Sequence, residues 1–99
     1  MDVNVTRSDG EAVLVLIGRL DTVTAPQLQE ALLPEFDNAK LVTMDFSELV
    51  YVSSAGLRVL LLGEKTAQAK GAEMKITGVC PEVREVFEMT GFTSMLNIE

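Results

Sequence analysis

The sequence predicts a small α/β domain over residues 1–99, built on a mixed sheet. Its N-terminal strands form an antiparallel hairpin, its later strands run parallel, and helices cover it. Three observations predict it. Apolar runs of strand length alternate, after the first pair, with segments of helical periodicity. "DG" at Asp9 and Gly10 supplies the two positive-φ residues of a tight hairpin turn. A strand–helix–strand order implies right-handed crossovers and hence parallel pairing.

The first strand, around Val3 and Val5, alternates apolar with polar residues and reads as an edge. Val13 to Ile17 is an unbroken apolar run and reads as a central strand covered on both sides. Thr24 stands where it caps the helix "APQLQEALL". Gln27 completes a T-x-x-Q capping box, Pro26 fits the first turn, and Ala25, Leu28, Ala31 and Leu32 form one stripe. Pro34 ends that helix. "KLVTMDF" is the third strand, followed by a helix from about Ser54 to Ala69 that Gly71 stops. "AEMKITGV" is the fourth strand. Pro81 then opens a helix with Val83, Val86 and Phe87 on one stripe and Gly91 as its stop, and "MLNIE" closes the chain as a short strand. Binding in such sheets gathers beyond the carboxyl ends of the parallel strands, which selects the loops "GRLDTVTA" and "SELVYVSSAG".

Composition narrows the chemistry. Fifteen acids against eight bases give a net charge of -7, which disfavours nucleic acid and anionic membrane surfaces as partners. The longest apolar run, "AVLVLI", is far below the roughly 20 residues of a membrane span, and "MDVNVTRSDG" lacks the pattern of a signal peptide, so a cytoplasmic location is expected. Without histidine there is no imidazole base or histidine metal ligand, and the single Cys80 reads as a buried structural thiol. "VSSAG" has the outline of a nucleophile elbow, but no base is placed at its serines, and Asp21, Asp45 and Glu48 are explained as caps or loop anchors as well as by a magnesium site. No enzyme, no cofactor and no metal site are expected.

Ser53 and Ser54 stand at the start of the middle helix, and either can act as its cap. On a wheel of 100° per residue Arg58, Glu64, Lys65 and Gln68 share one side. Val59, Leu60, Leu62, Gly63, Ala67 and Ala69 share the other, which faces the sheet. Leu57 and Leu61 fall in the polar arc with Ser54, where exposed leucines would serve docking; Leu61 is the better exposed candidate, and for Leu57 cover by neighbouring loops is the alternative. A phosphate on Ser54 would be tolerated by the fold, because free N–H donors and the positive end of the helix dipole lie there.

"GRLDTVTAPQL", "VTMDFSELVYVSSAGLRVLL" and "GAEMKITGVCPEVREVFEMTGF" together resemble the signature stretches of STAS domains of the bacterial anti-sigma-factor antagonist type, over the full chain. The resemblance implies a STAS-like fold and a partner-switching protein. Unphosphorylated, such a protein binds an anti-sigma factor that is a serine kinase of the GHKL ATPase type, and the sigma factor is released. Phosphorylation blocks binding, and a metal-dependent serine phosphatase restores it. The phosphoacceptor falls on Ser54, with Ser53 as runner-up; many members have aspartate where this chain has Ser53. Asp21, Thr22 and Thr24 match the neighbouring loop of the partner-facing surface, and Ser53, Ser54, Ala55, Gly56, Leu57, Arg58 and Leu61 complete it. The alternative is a STAS regulatory or adaptor subunit outside sigma control, in another signalling output or a lipid-transport complex, without regulated phosphorylation.

Overall fold

The computed structural model describes all 99 residues. Strand β1 (Asp2–Ser8) turns into β2 (Glu11–Leu20) through Asp9 and Gly10, whose φ values of 47° and 79° are the left-handed pair that a two-residue hairpin requires. Helix α1 (Ala25–Leu32) runs into a 3-10 turn, Leu33–Asp37. Strand β3 (Leu41–Val52), helix α2 (Ser54–Lys70), strand β4 (Glu73–Thr77), helix α3 (Pro81–Thr90) and the short strand β5 (Asn97–Ile98) complete the chain. Gly71 and Gly91, at φ 69° and 79°, end α2 and α3 in the left-handed conformation that an L side chain adopts only with strain.

The five strands lie in sequence order, β1 antiparallel to β2 and the rest parallel. Each crossover therefore steps one strand in the same direction. A right-handed crossover repeated in one direction puts every helix on the same face of the sheet. Burial follows that geometry: Leu14, Met44 and Ile76 are aligned across three strands and fully buried, as are Ala12, Val42 and Met74 in the next row. On the opposite face Val13, Val15, Ile17 and Thr43 are only half-buried. The expected strand covered on both sides is thus covered by helices on one. An unbroken apolar run marks a strand shielded by its sheet neighbours, but it does not count the layers above and below.

Strand β3 is longer than its sequence suggests. "SELVYV" reads as a loop, yet it stays paired to β2 as far as Val52. Two bulges hide it: Val15 and Ile17 oppose Asp45 and Glu48, and Gly18 and Arg19 oppose Leu49 and Tyr51, so β3 carries an extra residue each time. A bulge breaks the in–out alternation by which strands are recognised and bends the strand at that point. Val50, unpaired in the second bulge, is 62% exposed.

A core of 23 buried residues joins sheet and helices, with Phe46 and Phe87 at a ring separation of 6.3 Å where α3 meets β3. Far from the carboxyl ends of the strands, Arg7 on the edge strand makes a bidentate pair with Glu35, at 2.8 and 2.7 Å. The Glu35 carboxylate, nearly buried, holds the Arg7 guanidinium above its ordinary pKa by hydrogen bonding and charge. The Cys80 thiol is half-buried and donates to the Leu49 carbonyl at 3.6 Å.

Candidate functional site

The carboxyl ends of β2 and β3 meet at Leu20 and Val52, and there α2 begins. The Ser53 N–H donates to the Leu20 carbonyl at 2.8 Å, extending the sheet ladder by one bond. Ser53 then turns the chain with an extended backbone, φ -93° and ψ 173°, and its Oγ accepts the Gly56 N–H at 3.3 Å. That is the geometry of a helix cap, and it assigns the capping role to Ser53. Ser54 is the first helical residue. It is exposed, and its hydroxyl is left to solvent because its neighbour satisfies the helix end.

Gly56 fixes the height of this helix start. A Cβ there would lie 2.6 Å from Leu20 Cγ and 3.0 Å from Leu20 Cδ2, so only glycine lets the first turn of α2 settle onto the end of β2. Leu20 is fully buried and cannot swing away.

The neighbouring loop is organised by Asp21. Its Oδ1 accepts the N–H groups of Val23 and Thr24, each at 3.0 Å, and the Thr24 hydroxyl lies 3.2 Å away. The Thr24 N–H foremost, then the Thr24 hydroxyl and the Val23 N–H, with a smaller share from the Arg19 charge, hold the Asp21 carboxyl below the usual carboxylate range against the opposing effect of desolvation. Thr24 precedes α1, but its backbone is already helical (φ -93°, ψ -15°), and its hydroxyl donates to the Arg19 carbonyl and accepts the Asp21 N–H. The expected capping box is therefore not formed, since such a cap needs an extended backbone. The Gln27 side chain instead donates to the Met1 carbonyl at 2.9 Å. Asp45 lies within β3 rather than in a loop, and at the first bulge its Oδ1 accepts the Ser47 N–H at 2.9 Å. No group of three acidic or cysteine side chains stands close enough to hold a metal ion.

Thr22, Ala55 and Arg58 line one groove, and Ser53 and Ser54 stand at the start of the helix that carries Ala55 and Arg58. Asp21 and Thr24 are half-buried, and Gly56 is buried. Leu57 departs from expectation: it is 6% exposed and belongs to the core, so it offers nothing to a partner. Leu61 is half-buried, whereas Leu62, expected to face the sheet, is 38% exposed. The wheel misplaces both because α2 packs against α1 and the 3-10 turn as well as the strands. Its buried arc is wider than one face and rotated towards Leu57. Leu62 instead lines a groove of about 300 Å³ between α1 and α2, together with Thr22, Pro26, Ala55 and Arg58.

Three further residues at this end escaped the sequence reading. Val23 is 85% exposed on the Asp21 turn, Val50 projects from the bulge, and Tyr51 carries the Arg19 guanidinium 4.1 Å above its ring centre. The only signal for Val23 was a single apolar residue within a polar turn. Val50 and Tyr51 had none, because the bulge disguises their strand.

A protein-family model described as "Mlab, STAS domain" matches residues 3–97. A Bordetella bronchiseptica protein described as a candidate anti-sigma factor antagonist, BtrV, is 35% identical over 99 residues, spanning 99% of this chain and 85% of its own length. Among solved structures, an anti-sigma factor antagonist from Mycobacterium paratuberculosis superposes with a TM-score of 0.86 at 23% identity, covering 98% of this chain and 83% of its own. The Bacillus cell fate determinant SpoIIAA in its phosphorylated form superposes at 0.77 and 17% identity, covering 99% and 91%. These two structural likenesses concern the fold. No helix is long and apolar enough to cross a membrane.

Proposed function

The chain belongs to the STAS domain family, and on that premise we propose that it is an anti-sigma-factor antagonist, a binding protein rather than an enzyme, switched by phosphorylation of Ser54. The name of its Bordetella relative supports the role. One geometric observation carries the choice of residue: Ser53 spends its Oγ on capping α2, while the Ser54 hydroxyl one residue on is exposed and uncommitted. In the unmodified state Ser54, Thr22, Ala55 and Arg58, with the exposed Val23 and Val50, contact a serine-kinase anti-sigma factor of the GHKL ATPase type. The kinase then transfers the γ-phosphoryl group of ATP. The bond from γ-phosphorus to the ADP oxygen breaks as the bond to Ser54 Oγ forms, and the hydroxyl proton leaves to the kinase. A metal-dependent serine phosphatase reverses the modification.

The helix start tolerates the product, since a charge of about -1.5 to -2 sits at the positive end of the α2 dipole and near free N–H groups. The same charge in a desolvated contact weakens it, tenfold for each 1.4 kcal/mol. The test is incubation with the cognate kinase and ATP followed by intact mass and peptide mapping. One added phosphate on the peptide holding Ser54, lost in Ser54→Ala, is the expected result. Phosphate on Ser53 overturns the residue assignment. A chain that recovers no ATPase from lysate and takes up no phosphate returns the function to an adaptor outside sigma control.

A further inference from the structure

Arg58 is a cation without a counter-charge. The salt bridges of the chain join Arg7 to Glu35, Lys70 to Asp37 and Lys75 to Glu99, and none involves Arg58. It is exposed, it lines the groove between α1 and α2, and no acidic residue lines that groove with it. It also stands four residues after Ser54 on an unbroken helix, one turn further along the same face. Helical side chains lean back toward the amino end, so the surface that Arg58 covers is the turn that begins at Ser54.

We propose that Arg58 is the switch element of this surface, serving the partner in one state and the phosphate in the other. The inference rests on Ser54 being the modified residue. In the unmodified chain the guanidinium is the one charge of the groove, and it receives a carboxylate that the anti-sigma factor sets beside an apolar side chain seated against Ala55, Pro26 and Leu62. In the phosphorylated chain it folds back one turn onto the phosphate. An anion placed four residues before a cation is the favoured order on a helix, and a guanidinium takes phosphate oxygens in bidentate fashion. Modification thus removes the attraction the partner relied on as well as adding a charge it must exclude.

The first test needs no partner. Phosphoserine is encoded at position 54 of the full chain, and the second ionisation of the phosphate is followed by phosphorus NMR from pH 4 to 9, in the parent sequence and in Arg58→Gln. Pairing with Arg58 lowers that pKa from its ordinary value near 6, and Arg58→Gln moves it back up by about half a unit or more. Identical titrations in the two chains overturn the clamp. The second test is calorimetry of the unphosphorylated chain with the cognate anti-sigma factor. Arg58→Gln is expected to weaken binding about tenfold with a shallower dependence on salt, the size of a charge-assisted contact. Unchanged affinity overturns the docking half. Because the phosphate is installed synthetically, a failed titration tells against Arg58 alone, whereas a kinase that leaves Ser54 unmodified tells against the functional reading.

Discussion

Substituting Gly56→Ala probes the contact that sets the height of the α2 start. The new Cβ would lie 2.6 Å from Leu20 Cγ, roughly 0.9 Å inside the ~3.5 Å of a relaxed carbon contact. Leu20 is fully buried, so α2 must shift or Leu20 must leave its rotamer. Overpacking of this kind costs about 1–3 kcal/mol, and the better helix propensity of alanine returns up to about 1 kcal/mol. The expected net loss is about 1–2 kcal/mol, several degrees of melting temperature for a chain of this size. Leu20→Ala alone removes a buried side chain and costs about 2–5 kcal/mol. In that background the clash with Cγ and Cδ2 disappears and only the Leu20 carbonyl, 3.2 Å away, still presses on the new methyl. Adding Gly56→Ala to Leu20→Ala is therefore nearly neutral, and the double-mutant cycle shows a coupling of about 1–2 kcal/mol. Urea unfolding of the four proteins, fitted as two-state transitions of equal slope, measures it. Losses that add within about 0.5 kcal/mol would refute direct contact as the reason for glycine at this position.

Ser53→Ala is expected to cost about 0.5–1 kcal/mol in the same assay, at the lower end for a cap because its bond is long, while Ser54→Ala stays within about 0.5 kcal/mol; the reverse order would assign the cap to Ser54. The depressed pKa of Asp21 implies stability that is present above the unfolded value near 3.9 and is lost as pH falls through the lower folded value. Asp21→Asn should accordingly lose less stability than the parent on acidification from pH 5 to 2, and parallel curves would contradict this. Glu64 behaves oppositely. Burial, opposed by a hydrogen bond from Gln68 and aided by the charge of Glu73, raises its pKa, and its Oε2 is buried without a partner. Its favourable contribution is complete below the unfolded value near 4.3 and disappears as pH rises through the folded value. Glu64→Gln should then gain stability relative to the parent at pH 7 and lose that advantage at pH 4, read by thermal melts at both.

Much of this architecture was legible because local chemistry and global fold agree. The Asp9–Gly10 turn, the glycine stops at 71 and 91 and the serine pair at a strand–helix junction each work through a backbone requirement that a few residues announce. The missed features depend on tertiary partners. Thr24 has the residue type of a cap, but the Asp21 carboxylate organises the turn first. Leu57 and Leu62 exchange burial because α2 faces α1 as well as the sheet. The Arg7–Glu35 pair joins residues 28 apart, and no local pattern announces it. Of the candidate site, the two serines stand out by their place at a helix start and Thr22 by the family resemblance alone, whereas Val23, Val50 and the Arg19–Tyr51 stack are set by tertiary contacts that no local pattern announces.

The paired bulges of β3 have an evolutionary consequence. Each inserts one residue, and together they insert two, which returns Val52 to the inward phase opposite buried Leu20. Removing a single residue between positions 46 and 50 would reverse that parity, turning Val52 to solvent and aiming the following helix start at the wrong side of the sheet. Length variation in this stretch should therefore occur among descendants in steps of two or not at all, however freely the residue types drift.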